Sequence, residues 1–137
     1  MNPYVHKVDY YETDKMGITH HSNYIRWFES ARIDFLDQLG ISFAALEDSG
    51  LGSPVLSVSC EYRSPARFGD TVQVAVKLME CGGIRFRFAY AVTLPDGTLA
   101  AEGETSHCFV NSEGRPVALR RANPELYALM LEQVVKE

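Results

Sequence analysis

The stretch YETDKMGITHHSNYIRWFESARIDFLDQLG, Tyr11 to Gly40, changes character part-way along. From Asn23 the residues Tyr24, Trp27, Phe28, Ala31, Phe35 and Leu39 recur at three- and four-residue steps, the stripe of a helix laid against a core. Ser22 or Asn23 is placed to cap its first turn, and Gly40 to end it. The spacing predicts a helix from Asn23 to Gly40 of roughly four and a half turns, roughly 27 Å long. Ahead of it, Glu12, Asp14, Gly17, His20 and His21 crowd into what should be a plain hand-over from strand to helix.

Working outward, Tyr4 to Tyr11 has the Val and Tyr content of a strand, and SFAALED from Ser42 reads as one further short helix ending at Gly50 and Gly52. Four long runs then alternate with period two: Ser53–Arg63, Asp70–Cys81, Gly83–Leu94 and Thr98–Asn111. Their links, SPARFG, the pair Gly82 and Gly83, and PDG at Pro95–Gly97, are short, which predicts a four-strand antiparallel meander. In GIRFRFAYAV the arginines Arg85 and Arg87 alternate with Phe86 and Phe88, giving one dry and one wetter sheet face. NPELYALMLEQVVK, residues 123 to 136, predicts a last helix with Asn123 as cap and Pro124 in its first turn. The expected class is α+β, one long helix across a curved five-stranded antiparallel sheet whose exposed edge invites a second copy.

A chain of 137 residues fits a single domain, residues 1–137, with a sizeable core, and its 46% hydrophobic content argues against disorder. No run approaches the roughly 20 apolar residues a membrane crossing needs. Acidic residues in MNPYVHKVDYYETD, where a secretory leader needs an apolar run, point to a cytoplasmic protein. A net charge of -5 argues against nucleic acid as a partner. Cys60, Cys81 and Cys108 lack metal-ligand spacing and read as buried free thiols. The chain lacks a P-loop, a dinucleotide fingerprint and the G-x-S-x-G elbow.

Tyr11–Phe28, with its aspartate, a glycine three residues on and an NY pair before an aromatic helix start, resembles the opening motif of the hotdog-fold thioesterases. The likeness is to the branch of 4-hydroxybenzoyl-CoA thioesterase and its acyl-CoA thioesterase relatives. SCEYRSPARFGDTVQV and GETSHCFVN resemble later strands of that family, so the likeness runs from about Val5 to Val117. It implies a hotdog fold, an acyl-CoA substrate, no cofactor, and homodimers that associate into homotetramers with sites at the dimer interface.

Thioester hydrolysis needs a group that attacks the carbonyl or activates water, and donors where the carbonyl oxygen gains charge. By the resemblance Asp14 is the catalytic base or nucleophile. A partly dry cleft would raise its pKa. The backbone N–H of His21, at a helix N-terminus, is the carbonyl donor, and Gly17 shapes the turn. Asn23 reads as a cap or loop-fixing partner, and Tyr24 and Trp27 as core or acyl-pocket wall. Glu12 reads as a supporting or surface carboxylate. His20 and His21 are expected to point apart, which leaves no metal site. Arg63, Arg67 and Arg85, with Arg87, Arg120 and Arg121, are candidate phosphate contacts. Where 4-hydroxybenzoyl-CoA thioesterase has a basic cluster before the fourth strand, this chain has CGGIRF, so an aromatic acyl group is not implied. Two further readings remain open at this point: a hotdog dehydratase or hydratase pairing His20 or His21 with Asp14 or Glu12, and a non-catalytic acyl-CoA-binding protein.

Overall fold

The computed structural model describes residues 1–135; Lys136, the end of the expected last helix, lies outside the described residues. In chain order the elements are β1 (Tyr4–Lys7), a 3-10 turn (Tyr10–Glu12), α1 (Ser22–Gln38), α2 (Phe43–Asp48), β2 (Val55–Tyr62), β3 (Thr71–Cys81), β4 (Arg85–Thr93), β5 (Leu99–Val110), β6 (Pro116–Val117), α3 (Leu119–Ala122) and α4 (Pro124–Gln133). This is the expected α+β hotdog class, a long helix with an antiparallel sheet. No helix among the described residues is long and apolar enough to cross a membrane.

The ends of the helices follow from local chemistry. Gly40, at φ +82, turns the chain out of α1, with Ile41 N–H returning to the Leu36 carbonyl at 2.9 Å. The Ser42 side chain accepts from the Ala45 amide to start α2, and Asn123 accepts from the Leu126 amide with Pro124 at the first position of α4.

The strand order is β1-β3-β4-β5-β2, with β6 paired to β5. This corrects the expected meander. β3, β4 and β5 are sequential neighbours, but β2 lies beyond β5, three places from β3. The eight residues between Tyr62 and Thr71 form a strap and not a hairpin. Eight extended residues reach at most roughly 28 Å, ample for three strand spacings of roughly 14 Å in all. The strap is held by backbone bonds: Arg63 N–H donates to the Ala100 carbonyl at 2.8 Å, and Thr19 N–H to the Ala66 carbonyl at 2.8 Å.

The sixth strand, Pro116–Val117, was not expected; Val117 pairs with Phe109. The first strand is shorter than predicted. It ends at Lys7, because Asp9 and Glu12 close a capping box that coils Tyr10–Glu12 into a 3-10 turn. Of the cysteines, Cys108 is buried while Cys60 and Cys81 are only half-buried, and all three are free.

The residues group into two compact units, one of stretches 1–35, 59–76 and 90–103, the other of 36–58, 77–89 and from Glu104 onward. In the first, Tyr24, Trp27, Phe28, Ala31 and Phe35 of α1 are buried with Val8, Val72, Val74, Tyr90, Val92, Ala100 and Ala101. The Phe28 ring stacks on Tyr90 at 4.3 Å between centroids. Gly103 makes this approach possible, since a Cβ there would overlap the Ser59 carbonyl oxygen and lie 2.9 Å from the Phe28 ring. In the second unit, Leu78, Phe86, Phe88, Phe109, Leu119, Leu126 and Met130 form the core. There the Leu119 amide bonds the Gly83 carbonyl at 3.1 Å, and Val135 N–H bonds Leu78 O at 2.9 Å.

Candidate active site

The segment between the 3-10 turn and α1 is organised around a buried carboxylate. Glu12 is 4% exposed. Its Oε1 accepts from the Asp9 amide at 2.8 Å and meets His6 Nε2 at 2.7 Å, while Oε2 accepts from the Trp27 indole N–H at 2.8 Å. Its own carbonyl takes the His20 amide at 2.8 Å and the Asn23 side-chain amide at 2.9 Å. Burial alone pushes the Glu12 carboxyl upward, but hydrogen bonds from the Asp9 amide, His6 and Trp27 outweigh it and hold the group below its ordinary value. The surface reading of Glu12 is therefore corrected: it anchors the loop.

Beyond Glu12 the loop is a tight turn. Asp14 Oδ1 accepts from the Met16 amide at 2.8 Å, and Gly17 N–H donates to the Asp14 carbonyl at 3.0 Å. Gly17 sits at φ +78, where a side chain is disfavoured. An added Cβ would come within 3.9 Å of an Arg67 guanidinium nitrogen. Asp14 is exposed in the chain by itself, so its own residues do not supply the partly dry cleft the sequence suggested.

At the start of α1, the two peptide planes that flank His21 are each held. The His20 carbonyl, at the far end of the plane that carries the His21 N–H, accepts from the Asn23 amide at 3.0 Å and the Asn23 side chain at 3.2 Å. The His21 carbonyl accepts from Tyr24 N–H at 3.3 Å and from the Tyr62 hydroxyl at 3.1 Å. Among the described residues, no acceptor bonds the His21 amide. Asn23 is buried and thus fixes the loop as a donor. His20 and His21 do not point apart as expected. Their rings lie 4.1 Å apart, with His20 Nδ1 held by the Ser22 hydroxyl at 2.8 Å.

Asp14, His21, Tyr24 and Arg63 line one cavity of about 350 Å³, together with Ile18, Thr19, Tyr62, Ser64 and Pro65. Gly17 and Asn23 are not among its lining residues, and Trp27 is buried against Glu12. Arg63 reaches the cavity but is clamped by Glu61 at 2.6 Å and Glu102 at 2.7 Å. Arg67 has no ion pair among the described residues. Arg85 is not in this cavity; it lines a different one with Met79, Cys81, Ile84 and Cys108. Arg87 is engaged by Glu80 at 3.0 Å and Glu104 at 2.6 Å.

Tyr62 is the member that sequence reading missed. Its ring stands edge-on to Tyr24, 5.1 Å between centroids. Burial first, and then the hydrogen bond with the Cys60 thiol, push its hydroxyl up to about 12. Period-two alternation from Cys60 through Tyr62 to Ser64 was the available signal, but nothing in it singles out an aromatic at a strand end. One group among the described residues, His6, Asp9 and Glu12, brings three potential metal-ligand atoms within 4.8 Å of one another. Both Glu12 oxygens there already accept hydrogen bonds.

Asp14 and His21 thus line one cavity at the start of a helix, bringing to it a residue with a carboxylate and a residue with an unengaged amide, groups of the kinds suited to attack on a carbonyl and polarisation of its oxygen. The chain is similar in sequence and structure to known proteins. The structure superposes on a DHNA-CoA thioesterase from Staphylococcus aureus with a TM-score of 0.93, at 30% identity, over 96% of this chain and 89% of that one. It also superposes on the protein TT1821 from Thermus thermophilus with a TM-score of 0.91, at 34% identity, over 97% and 99% of the two chains. In sequence it is 32% identical over 120 residues, 87% of each chain, to the provisionally named acyl-CoA thioesterase YneP of Bacillus subtilis. The family model of the thioesterase-like superfamily matches residues 8–132. With nearly its whole length matched, and the carboxylate and helix start that its opening motif led one to look for, the chain belongs to the thioesterase-like superfamily.

Proposed function

We propose that this protein hydrolyses acyl-CoA thioesters to the free acid and CoA, with Asp14 as base or nucleophile and the His21 N–H as the donor to the carbonyl oxygen. The observation that carries the reading is the shared cavity of Asp14 and His21 at the N-terminus of α1. As the carbonyl carbon is attacked, negative charge grows on its oxygen. A backbone donor at the positive end of a helix stabilises that charge without having to reorganise. The two bonds from Asn23 to the His20 carbonyl polarise the same peptide and strengthen its N–H as a donor. The C–S bond then breaks, the CoA thiolate leaves and takes up a proton, and water supplies the second oxygen of the acid. The named relatives, two of them thioesterases of CoA esters by name, support the substrate class.

Arg67, beside Gly17 and with no ion pair of its guanidinium among the described residues, is the best placed of the candidate arginines to take a CoA phosphate. Arg63 serves less well because two glutamates hold it, and Arg85 would contribute only from outside the Asp14 cavity. The proposal extends to assembly. β2 ends the sheet and leaves Val55, Leu56 and Val58 exposed, an edge that a second copy would cover. A homodimer through this edge, paired further into a homotetramer, would also dry the exposed Asp14. A monomeric mass by light scattering at micromolar protein would contradict the assembly.

The reading is tested by free-thiol release from a panel of short, long and aromatic acyl-CoAs. Turnover of at least one ester is expected, and no release from any of them would overturn it.

A further inference from the structure

Tyr62 belongs to β2, whereas Asp14 and His21 belong to the loop before α1, and the hydroxyl of Tyr62 is the side-chain group of β2 that bonds this loop. It donates to the His21 carbonyl at 3.1 Å, its ring stands edge-on to His21 at 6.2 Å and to Tyr24 at 5.1 Å, and it lines the same cavity as Asp14.

The His21 carbonyl lies immediately before α1, where the Tyr24 N–H reaches it at 3.3 Å. The neighbouring Ser22 N–H also makes a long bond, 3.3 Å to His20 Nδ1. The peptide between His21 and Ser22 is therefore held from outside the helix by Tyr62, beside the bond from Tyr24. The His21 N–H lies in the plane that Asn23 holds, and Tyr62 holds the next plane, so the two residues together restrain both peptides that meet at the His21 Cα.

We propose that Tyr62 is a positioning residue for thioester hydrolysis, its hydroxyl holding the peptide that follows His21 and so, together with Asn23, restraining the His21 backbone that carries the donor N–H at the Asp14 cavity. This rests on the thioester-hydrolase reading. The role requires the protonated phenol, because a phenolate has no hydrogen to donate to a carbonyl. With the hydroxyl pushed up to about 12, the donor is intact throughout the neutral range.

The test compares wild type, Tyr62→Phe and a form carrying 3,5-difluorotyrosine at position 62, whose phenol ionises near neutral pH. Removing one hydrogen bond that acts in the transition state is expected to lower kcat about tenfold, with KM held within about twofold. The fluorinated form is expected to lose kcat as pH rises through its phenol ionisation while wild type does not, a signature that loss of packing would not produce. Amide hydrogen exchange over residues 20–23 is expected to quicken in Tyr62→Phe. If wild type hydrolyses thioesters and Tyr62→Phe matches its kcat, the positioning role is overturned and the hydrolase reading stands. If wild type hydrolyses none, that reading falls, and the exchange data decide the rest: unchanged rates overturn the Tyr62 contact, and quickened rates support it.

Discussion

The indole N–H of Trp27 donates to Oε2 of Glu12 at 2.8 Å, joining the second turn of α1 to a carboxylate 15 residues earlier. The same carboxylate holds the Asp9 amide and His6. Glu12→Ala would strand a buried indole N–H and leave the loop that carries Asp14 without its anchor. Breaking such a buried charged cluster costs about 3 kcal/mol. Denaturant unfolding should register that loss, and a variant as stable as wild type would contradict the anchoring role.

The anchor also carries a pH signature. The Glu12 carboxyl sits below its ordinary 4.5 in the folded chain, burial being outweighed by the three hydrogen bonds. A carboxylate lowered by folding adds stability that is complete above its unfolded pKa and is lost as pH falls through its folded one. Glu12→Gln cannot titrate. The stability advantage of wild type over it should therefore shrink from pH of about 5 to about 3. An advantage that grows on acidification would show the sign to be wrong.

Gly103 is a packing constraint with a single sharp consequence. A methyl there overlaps the Ser59 carbonyl oxygen and presses on the Phe28 ring. Relief requires the backbone or the ring to shift, so Gly103→Ala should cost more than about 3 kcal/mol. Gly83 has open space around the same construction and no positive φ, so Gly83→Ala should stay within about 0.5 kcal/mol of wild type. Equal thermal midpoints for the two variants would refute the close approach.

If Arg67 takes a CoA phosphate, Arg67→Gln should raise KM for an acyl-CoA about tenfold and leave kcat in place, an effect that fades as salt is raised. Hydrolysis of the same acyl group on N-acetylcysteamine, which lacks the nucleotide, should not change. A KM increase of equal size on both esters would move Arg67 from phosphate binding to a structural role.

Much of this was legible in the chain because the signals were local. The apolar stripe from Tyr24 to Phe35 marks α1, Gly40 ends it, and Asn123 with Pro124 opens α4, each written within one or two turns of the element concerned. The strap between β2 and β3 was not legible. Its length suits a hairpin and a crossover equally well, and what decides between them is the distant pairing of Ala66 with Thr19 and of Arg63 with Ala100. For Glu12 the sequence left a supporting and a surface role open for the same reason, and the structure shows the supporting one. A lone glutamate after two tyrosines looks solvated until His6 and Trp27 are brought to it by the fold. In the candidate site, the helix start and Asp14 could be read from the opening motif. Tyr62 comes from a strand 41 residues away from His21, and Arg63 is occupied by glutamates that no spacing rule connects.

The most direct test of the central claim is the turnover of Asp14→Asn beside wild type on the best acyl-CoA substrate. Asparagine keeps an oxygen where Asp14 Oδ1 accepts from the Met16 amide, so the turn and the thermal midpoint should be retained. With the attacking or proton-accepting group gone, kcat should fall at least about a hundredfold at a similar KM. A folded Asp14→Asn protein with a kcat within about twofold of wild type would contradict the assignment of Asp14 to the chemistry.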